Sequence, residues 1–193
     1  MAEVPPEERQ TALVVAVPAE ALVDDFRREH GDFANRRGIP PHVTVLYPFA
    51  PATSIDDLLH QELDAHFASF ASFGAELTQV ARFDTSVWLA PRPRDRFLDL
   101  LYTTHARFPQ FPPYGGQVAE PEPHLTVAEL GHGDGGDAGG GVDEIAELAR
   151  LRLEPRLPFR FAVTAVTLLE ELADGSWRES RRYELGPAVG AER

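Results

Sequence analysis

The chain alternates between short apolar runs and longer segments in which apolar residues recur at helical spacing. Residues 13–17 form a β-rich apolar run, and residues 19–31 carry their apolar side chains on one helical face. Residues 42–47 then alternate between polar and apolar side chains, as a half-buried strand does. Strand, helix and strand in this order predict an α+β fold.

The rest of the chain continues this alternation up to residue 185. The same patterns predict helices over residues 55–70, 94–108 and 142–153, and strands over residues 76–83, 86–90, 123–127, 159–170 and 177–185. The last two strands are predicted to form a hairpin around a turn at residues 173–176.

The two halves of the chain repeat one another. A frame of Pro-His-apolar-Thr-Val occurs at residues 41–45 and again at residues 123–127, each time after a strand, a helix and a loop. The repeat predicts two similar α+β lobes that face each other. We therefore expect residues 1–193 to form one bilobal domain.

Three segments are predicted to be less ordered than this domain. Residues 1–10 and 186–193 are predicted to be loose ends. Residues 131–141 contain seven glycines and are predicted to be a flexible loop after the second frame. This loop has neither the glycine spacing nor the lysine of a phosphate-binding P-loop.

The repeated frame places polar side chains on one face of each strand. Residues two apart in a strand point the same way, so His42 shares a face with Thr44, and His124 with Thr126. Tyr47 is predicted to point the other way, toward the core. If the lobes are related by an approximate twofold axis, two imidazoles and two hydroxyls converge in one cleft.

This set of side chains suits the cleavage of a phosphodiester. One neutral histidine can take a proton from the attacking water or hydroxyl, while the other, protonated, gives one to the departing oxygen. The pKa of an ordinary histidine, about 6.5, makes both states accessible at neutral pH. Thr44 and Thr126 are predicted to bind the phosphate. The sequence does not assign acid and base between His42 and His124.

Composition excludes several kinds of active site. The chain has no cysteine, and all 18 of its basic residues are arginine. Thiolate chemistry, Schiff-base catalysis and the lysyl-nucleotide intermediate of ATP-dependent ligases are therefore impossible. The net charge of −13 argues against a long nucleic-acid footprint and for a small substrate or a short RNA end.

Three further residues are candidates for binding the substrate. They are Tyr114 in a Pro/Gly-rich loop, Arg37 just before the first frame, and Phe83 near a predicted turn. No helical His-x-x-x-His pattern or carboxylate triad presents itself, so neither a metal site nor a cofactor is predicted.

The frames resemble the two His-x-Thr/Ser motifs of the 2H phosphoesterase superfamily. Residues 41–49, Pro-His-Val-Thr-Val-Leu-Tyr-Pro-Phe, look especially like the bacterial 2′-5′ RNA ligase-like, or cyclic phosphodiesterase, branch. The second motif, residues 123–128, fits as well, and the resemblance runs from Leu13 to about Leu185. The resemblance implies a LigT-like α+β fold, with two pseudo-symmetric lobes of antiparallel sheet plus helices around a central cleft. It also implies catalysis without metal.

The resemblance also implies a range of substrates and activities. They include 2′,3′-cyclic nucleotides, ADP-ribose 1″,2″-cyclic phosphate and RNA ends, which a cyclic phosphodiesterase opens by water attack. One alternative is an ATP-independent 2′-5′ RNA ligase. Another is a non-catalytic module that only binds nucleotides or RNA ends.

The cellular setting is predicted from what the sequence lacks. The N-terminus has no basic export region, and the apolar run 11–19 is too short to cross a bilayer. We expect a cytoplasmic protein, acting as a monomer, with no membrane partner.

Overall fold

Strands and helices alternate in the protein as the sequence predicts. The computed structural model describes residues 3–30, 33–130 and 141–188. The strands are β1 (Thr11–Ala16), β2 (His42–Leu46), β3 (Phe73–Arg82), β4 (Ser86–Arg92), β5 (Leu125–Glu129), β6 (Phe159–Val163), β7 (Ala165–Glu171) and β8 (Trp177–Glu184). The α-helices are α1 (Glu20–Glu29), α2 (Phe33–Arg36), α3 (Asp57–Ala68), α4 (Arg94–Arg107) and α5 (Val142–Leu153).

The strands form two four-stranded sheets, and every strand pair within them is antiparallel. Sheet 1 has the order β2-β1-β7-β8, and sheet 2 has the order β5-β4-β3-β6. The two strands that carry the His-x-Thr frames, β2 and β5, thus lie at equivalent edges of the two sheets. The α+β fold with two pseudo-symmetric lobes is confirmed.

The register of the strands shows how closely the two lobes correspond. Val14 of β1 pairs with Thr44 of β2, and Trp88 of β4 pairs with Thr126 of β5. Val14 and Trp88 therefore occupy equivalent positions, each opposite the threonine of one frame.

The prediction of a single strand over residues 159–170 is wrong. The chain crosses between sheets at Thr164: β6 pairs with β3 in sheet 2, and β7 pairs with β1 in sheet 1. Thr164 itself accepts a hydrogen bond from the amide of Leu185 through its carbonyl, at 2.7 Å. A one-residue interruption of this kind leaves the apolar periodicity almost intact, so the pattern alone does not reveal it.

The helices tie the two lobes together by packing across them. Helix α4, which follows a strand of sheet 2, packs against β2 of sheet 1, and helix α1, which follows a strand of sheet 1, packs against β5 of sheet 2. As a result β2 and β5 approach each other, with Cα atoms within 8 Å. One hydrophobic core, which includes residues of both sheets, lies beneath them.

The helices bury the apolar faces that the sequence predicts. In α1, Leu22, Val23 and Phe26 are buried, as their spacing predicts. Helix α3 begins at Asp57 because the side chain of Asp56 accepts a hydrogen bond from the amide of Leu59 at 2.8 Å.

The ends and the glycine-rich segment are described only in part. Residues 3–10 include a 3₁₀ turn at Pro6–Glu8, and the amide of Val4 donates to the carbonyl of Ala173 at 2.7 Å. Of the predicted loop 131–141, all but Gly141 lies outside the described residues, and Gly141 precedes the first residue of α5. Across 3–30, 33–130 and 141–188, no helix is long and apolar enough to cross a membrane.

We predict that the packing of α4 contributes strongly to stability. Leu100 in α4 is 1% exposed, so Leu100→Ala should lower the free energy of unfolding by about 2–5 kcal/mol through lost burial and the cavity left behind. The measurement is chemical denaturation followed by circular dichroism. As a control, Leu151→Ala removes a helical leucine that is 74% exposed and should change stability by less than about 0.5 kcal/mol. Equal effects of the two changes would contradict the assigned packing.

Candidate active site in the cleft between the sheets

The two His-x-Thr frames occupy equivalent positions at the edges of the sheets. His42 is the first residue of β2, and His124 directly precedes β5. Along both frames the histidine and the threonine are partly exposed, while the residue between them, Val43 or Leu125, is fully buried. The predicted orientation of both frames, polar on one face and apolar on the other, is therefore confirmed.

A β-bulge interrupts the pairing of both strands just after the threonine of the frame. One step along β1, from Leu13 to Val14, spans two steps along β2, from Leu46 to Thr44. The same shift occurs between β4 and β5, at Val87 and Trp88. A bulge inserts one extra residue and so reverses the alternation of side chains beyond it.

The bulges turn Tyr47 and Glu129 toward the cleft. Val45 and Leu46 are both buried, as are Val127 and Ala128, and the next residue in each strand is again accessible. The prediction that Tyr47 points toward the core is wrong because strict alternation ends at the bulge. The sequence analysis did not identify Glu129, which occupies the equivalent position in the other lobe.

A cavity of about 410 Å³ lies between the two sheets and contains much of the predicted site. Its wall includes His42 and Thr44 from sheet 1 and Thr126 and Glu129 from sheet 2. His124 is not part of this wall, but directly precedes the strand that carries Thr126. The remaining lining residues are Ala12, Val14, Ala34, Ile39, Tyr47, Leu169 and Trp177.

Both catalytic candidates are held by the same hydrogen bond. Nδ1 of His42 lies 2.8 Å from the carbonyl oxygen of Pro40, and Nδ1 of His124 lies 2.7 Å from the carbonyl oxygen of Glu122. Because a carbonyl oxygen only accepts, each Nδ1 must carry a hydrogen and donate it. In each neutral ring Nε2 is then the basic nitrogen, the one that can take up or release a proton.

His124 lies among aromatic rings. The edge of the His124 ring meets Phe83 with centroids 5.1 Å apart, and Trp88 lies 5.9 Å away. Phe83 and Trp88 stack on each other at 5.0 Å. Burial lowers the pKa of His124, and the Glu122 carbonyl and carboxylate oppose this only in part. His124 is therefore neutral at pH values where an ordinary histidine begins to be charged.

A sequence comparison shows the family to which the chain belongs. A profile of the 2′-5′ RNA ligase superfamily, a group of 2H phosphoesterases, matches residues 15–175. The chain belongs to this superfamily. Among curated protein sequences, none matches the chain.

Comparison with solved structures shows that this protein has the same fold as proteins of known structure. E. coli LigT complexed with 3′-AMP is similar over 94% of this chain and 99% of that one, with a TM-score of 0.55 and 16% identity. E. coli LigT complexed with NADP+ matches over 92% and 98% of the two chains, with a TM-score of 0.55 and 16% identity. TT0787 of Thermus thermophilus matches over 92% and 98%, with a TM-score of 0.59 and 18% identity. The predicted LigT-like fold is confirmed.

In this superfamily member Tyr114, a predicted substrate-binding residue, contacts the first frame. Its side chain lies beside that of Thr44, and its amide donates to the Tyr47 carbonyl at 2.6 Å. Burial raises the pKa of Tyr114 to about 12, so the phenol stays protonated and can donate. Tyr114 adopts a φ of 52°, a strained value for a residue other than glycine. A role in substrate binding stays a prediction.

Arg37 and Phe83, the other two predicted substrate-binding residues, have different surroundings. The guanidinium of Arg37 donates to the carboxylate of Glu171 at 3.2 Å and to the carbonyl of Gly175 at 3.1 Å, and Arg37 does not line the cavity. Phe83 is 38% exposed beside His124. Their roles in binding stay predictions.

The sequence analysis missed the apolar side of the cavity. Ala12, Val14, Leu169 and Trp177 form a small hydrophobic cluster separate from the main core, and all four line the cavity. Tyr47 contacts Trp177 edge to face at 6.1 Å. These residues come from β1, β7 and β8, which the sequence predicted, but only the order of strands in sheet 1 brings them beside His42.

The superfamily member shows no grouping of three or more His, Cys, Asp or Glu side chains able to hold a metal ion within residues 3–30, 33–130 and 141–188. Metal-independent catalysis stays a prediction, to be tested with a chelator.

We predict that Phe83 keeps the pKa of His124 low. Phe83→Ala would let water reach the imidazole, so the pKa of His124 should rise toward its ordinary value of about 6.5. The measurement is an NMR titration of the histidine rings, with the His124 signal assigned from a His124→Asn variant. Phe73→Ala, at the opposite end of β3, is the matched control and should leave the pKa unchanged. An unchanged or lower pKa in Phe83→Ala would contradict this cause.

Proposed function

We propose that this protein is a metal-independent cyclic phosphodiesterase that opens 2′,3′-cyclic or ADP-ribose 1″,2″-cyclic phosphates, or cyclic phosphates at RNA ends. The observation that carries the proposal is the matched pair of Nδ1-to-carbonyl hydrogen bonds at His42 and His124. They present Nε2 of both rings as the proton-carrying atom, which is what a paired acid and base need. Superfamily membership supports the same chemistry.

In the proposed reaction His124 is the base and His42 the acid. Nε2 of His124 takes a proton from water as the water oxygen forms a bond to phosphorus. The bond from phosphorus to one ribose oxygen breaks, and Nε2 of protonated His42 gives its proton to that oxygen. The assignment rests on the aromatic enclosure of His124, which favours its neutral form at the start of the reaction.

The two threonines would bind the non-bridging phosphate oxygens. Thr44 and Thr126 lie on opposite walls of the cavity, so their hydroxyls can donate to the phosphate from both sides. The Tyr114 phenol, which lies beside Thr44, would help to position the Thr44 side chain.

ATP-independent 2′-5′ RNA ligation is a second candidate that superfamily membership favours. It is the same opening of the cyclic phosphate with a ribose hydroxyl of a second RNA end in place of water as the attacking group, and it uses the same two histidines. The net charge of −13 disfavours a long RNA footprint, so hydrolysis of small substrates is the first candidate.

We expect turnover of 2′,3′-cyclic nucleotides in the presence of EDTA, with a bell-shaped dependence of kcat/KM on pH. The acid limb should follow the pKa of His124 and so lie below about 6.5, because only the neutral base is active. His42→Ala and His124→Ala should each lower kcat/KM by about 10²-fold or more.

The control for these variants is His60→Ala. His60 lies on α3, where its Nδ1 is 2.8 Å from the Tyr183 hydroxyl, so its loss should leave kcat/KM nearly unchanged. Binding of cyclic nucleotides without turnover would replace the proposal with the binding module, and joining of RNA ends without ATP would favour the ligase. Loss of activity in EDTA would refute metal independence.

We further predict that the threonine hydroxyls act mainly in the transition state. Thr44→Ala and Thr126→Ala should each lower kcat by about 10²-fold, with a smaller change in KM, because the hydroxyl stabilises developing charge on the phosphate oxygens. Thr44→Ser and Thr126→Ser keep the hydroxyl and are the matched controls, expected to retain most of kcat. The idea fails if the alanine and serine variants behave alike in steady-state kinetics.

A further inference from the structure

We propose that Arg94 is a positioning residue for His124 and acts through Glu122. The ion pair between Arg94 and Glu122 would hold the carbonyl that orients the His124 ring, and it would offset the carboxylate charge beside that ring. This inference rests on the proposed function, in which His124 is the base. It adds to the catalytic pairs a residue that does not line the cavity.

The segment that leads into the second frame has few hydrogen bonds of its own. The carbonyl of Glu122 accepts the hydrogen bond from Nδ1 of His124, so the position of this peptide group sets the orientation of the ring. Glu122 lies between Pro121 and Pro123, which have no amide hydrogen to donate. Within the part of the chain that the structure describes, the backbone of residues 118–123 makes no hydrogen bond to another backbone group. Hydrogen-bonded support for this segment must therefore come from a side chain.

The first lobe supports the equivalent segment with a backbone hydrogen bond that the second lobe cannot form. The amide of Val17 donates to the carbonyl of Pro41, the first residue of that frame, at 2.8 Å. Because Val14 and Trp88 occupy equivalent positions, the residue three places further along is Val17 in one lobe and Pro91 in the other. Pro91 has no amide hydrogen, so the second lobe lacks this bond.

Arg94 binds the segment in the second lobe instead. Its Nε donates to both carboxylate oxygens of Glu122, at 2.9 and 2.8 Å, and its Nη2 donates to one of them at 2.6 Å. Arg94 is the first residue of α4, where the helix dipole disfavours a positive charge. The stability of the helix therefore does not explain this arginine. A forked contact to a carboxylate does, because the planar guanidinium matches the two oxygens.

The same ion pair balances the charge beside His124. The carboxylate of Glu122 raises the pKa of His124, against the larger and opposite effect of burial. While Arg94 is bound to Glu122, an equal positive charge offsets this carboxylate. The ion pair therefore helps His124 to stay neutral, as the base of the proposed reaction must be.

Other groups around His124 do not account for this balance. Phe83 and Trp88, whose rings lie beside the imidazole, carry no charge. His42 and Glu129 are titratable groups on the cavity wall. Substitutions at the ion pair leave all four of these residues in place, so a change in the pKa of His124 would come from the ion pair.

The test compares Arg94→Gln with Glu122→Gln, which remove opposite charges from the same ion pair. Arg94→Gln leaves the carboxylate without its partner, so the pKa of His124 should rise by about half a pH unit. Glu122→Gln removes the carboxylate, so the pKa of His124 should fall below the wild-type value. Both variants should lower kcat for adenosine 2′,3′-cyclic phosphate by about tenfold, with a smaller change in KM, because the ring is held less firmly.

The pKa of His124 is measured by an NMR titration of the full chain, and the acid limb of kcat/KM against pH should move with it. Arg94→Lys keeps the charge without the fork, so it should retain the wild-type pKa but only part of kcat. The matched control is Arg107→Gln at the other end of α4, where Arg107 pairs with Glu62 at 3.1 Å. It removes the same charge and should leave the pKa of His124 and kcat unchanged.

A merely structural role would move the pKa in the same direction in Arg94→Gln and Glu122→Gln, and that result would overturn the inference. An unchanged pKa and kcat in Arg94→Gln, or an equal effect of Arg107→Gln, would overturn it as well.

The titration needs no turnover, so it separates this inference from the proposed function. Opposite pKa shifts in the two glutamine variants, with no turnover by the wild type, would uphold the link from Arg94 to His124 and refute the enzyme. Turnover by the wild type with no effect of Arg94→Gln would refute the link alone.

Discussion

The geometry of the site depends on two helices that each follow a strand of one sheet and pack against a strand of the other sheet. Strands β2 and β5 belong to different sheets, and no backbone ladder among the described strands joins those sheets edge to edge. They lie side by side because α4 packs on β2 and α1 packs on β5, over a core that includes residues of both sheets. The relative position of the two histidines is therefore set by side-chain packing. Protein interiors are packed as densely as organic crystals, so the two histidines can shift little relative to each other. The proposed reaction needs this precision, because both histidines would act on one phosphate.

The two lobes correspond in some parts of this arrangement and differ in others. The frames, their Nδ1-to-carbonyl hydrogen bonds and their β-bulges recur in both lobes. The residues just beyond the bulges, Tyr47 and Glu129, do not correspond chemically. In the proposed reaction both lobes supply a histidine for proton transfer, whereas the two walls of the cleft differ at the positions of Tyr47 and Glu129.

Much of the fold and the core of the site could be predicted from the sequence because they follow simple periodicity. The helix predicted over residues 142–153 has those bounds in the structure, and both frames have the predicted face exposed. Predictions from periodicity were wrong where the backbone departs from a regular strand. The bulges reverse the alternation before Tyr47 and Glu129, and the crossing at Thr164 divides one apolar run between two sheets. Leu169 and Trp177 form part of the apolar wall only because of the order of the strands in sheet 1. The pattern of residues within one strand does not predict that order.

Val14 and Trp88 show one way in which the two lobes of a nearly symmetric site differ. These residues occupy equivalent positions opposite Thr44 and Thr126, yet Val14 presents a small aliphatic side chain while Trp88, with Phe83, encloses His124. Enclosure removes water from the imidazole and penalises its charged form, which lowers the pKa of His124. In the proposed reaction this enclosure, rather than any change in the motifs, is what suits His124 to begin as the base.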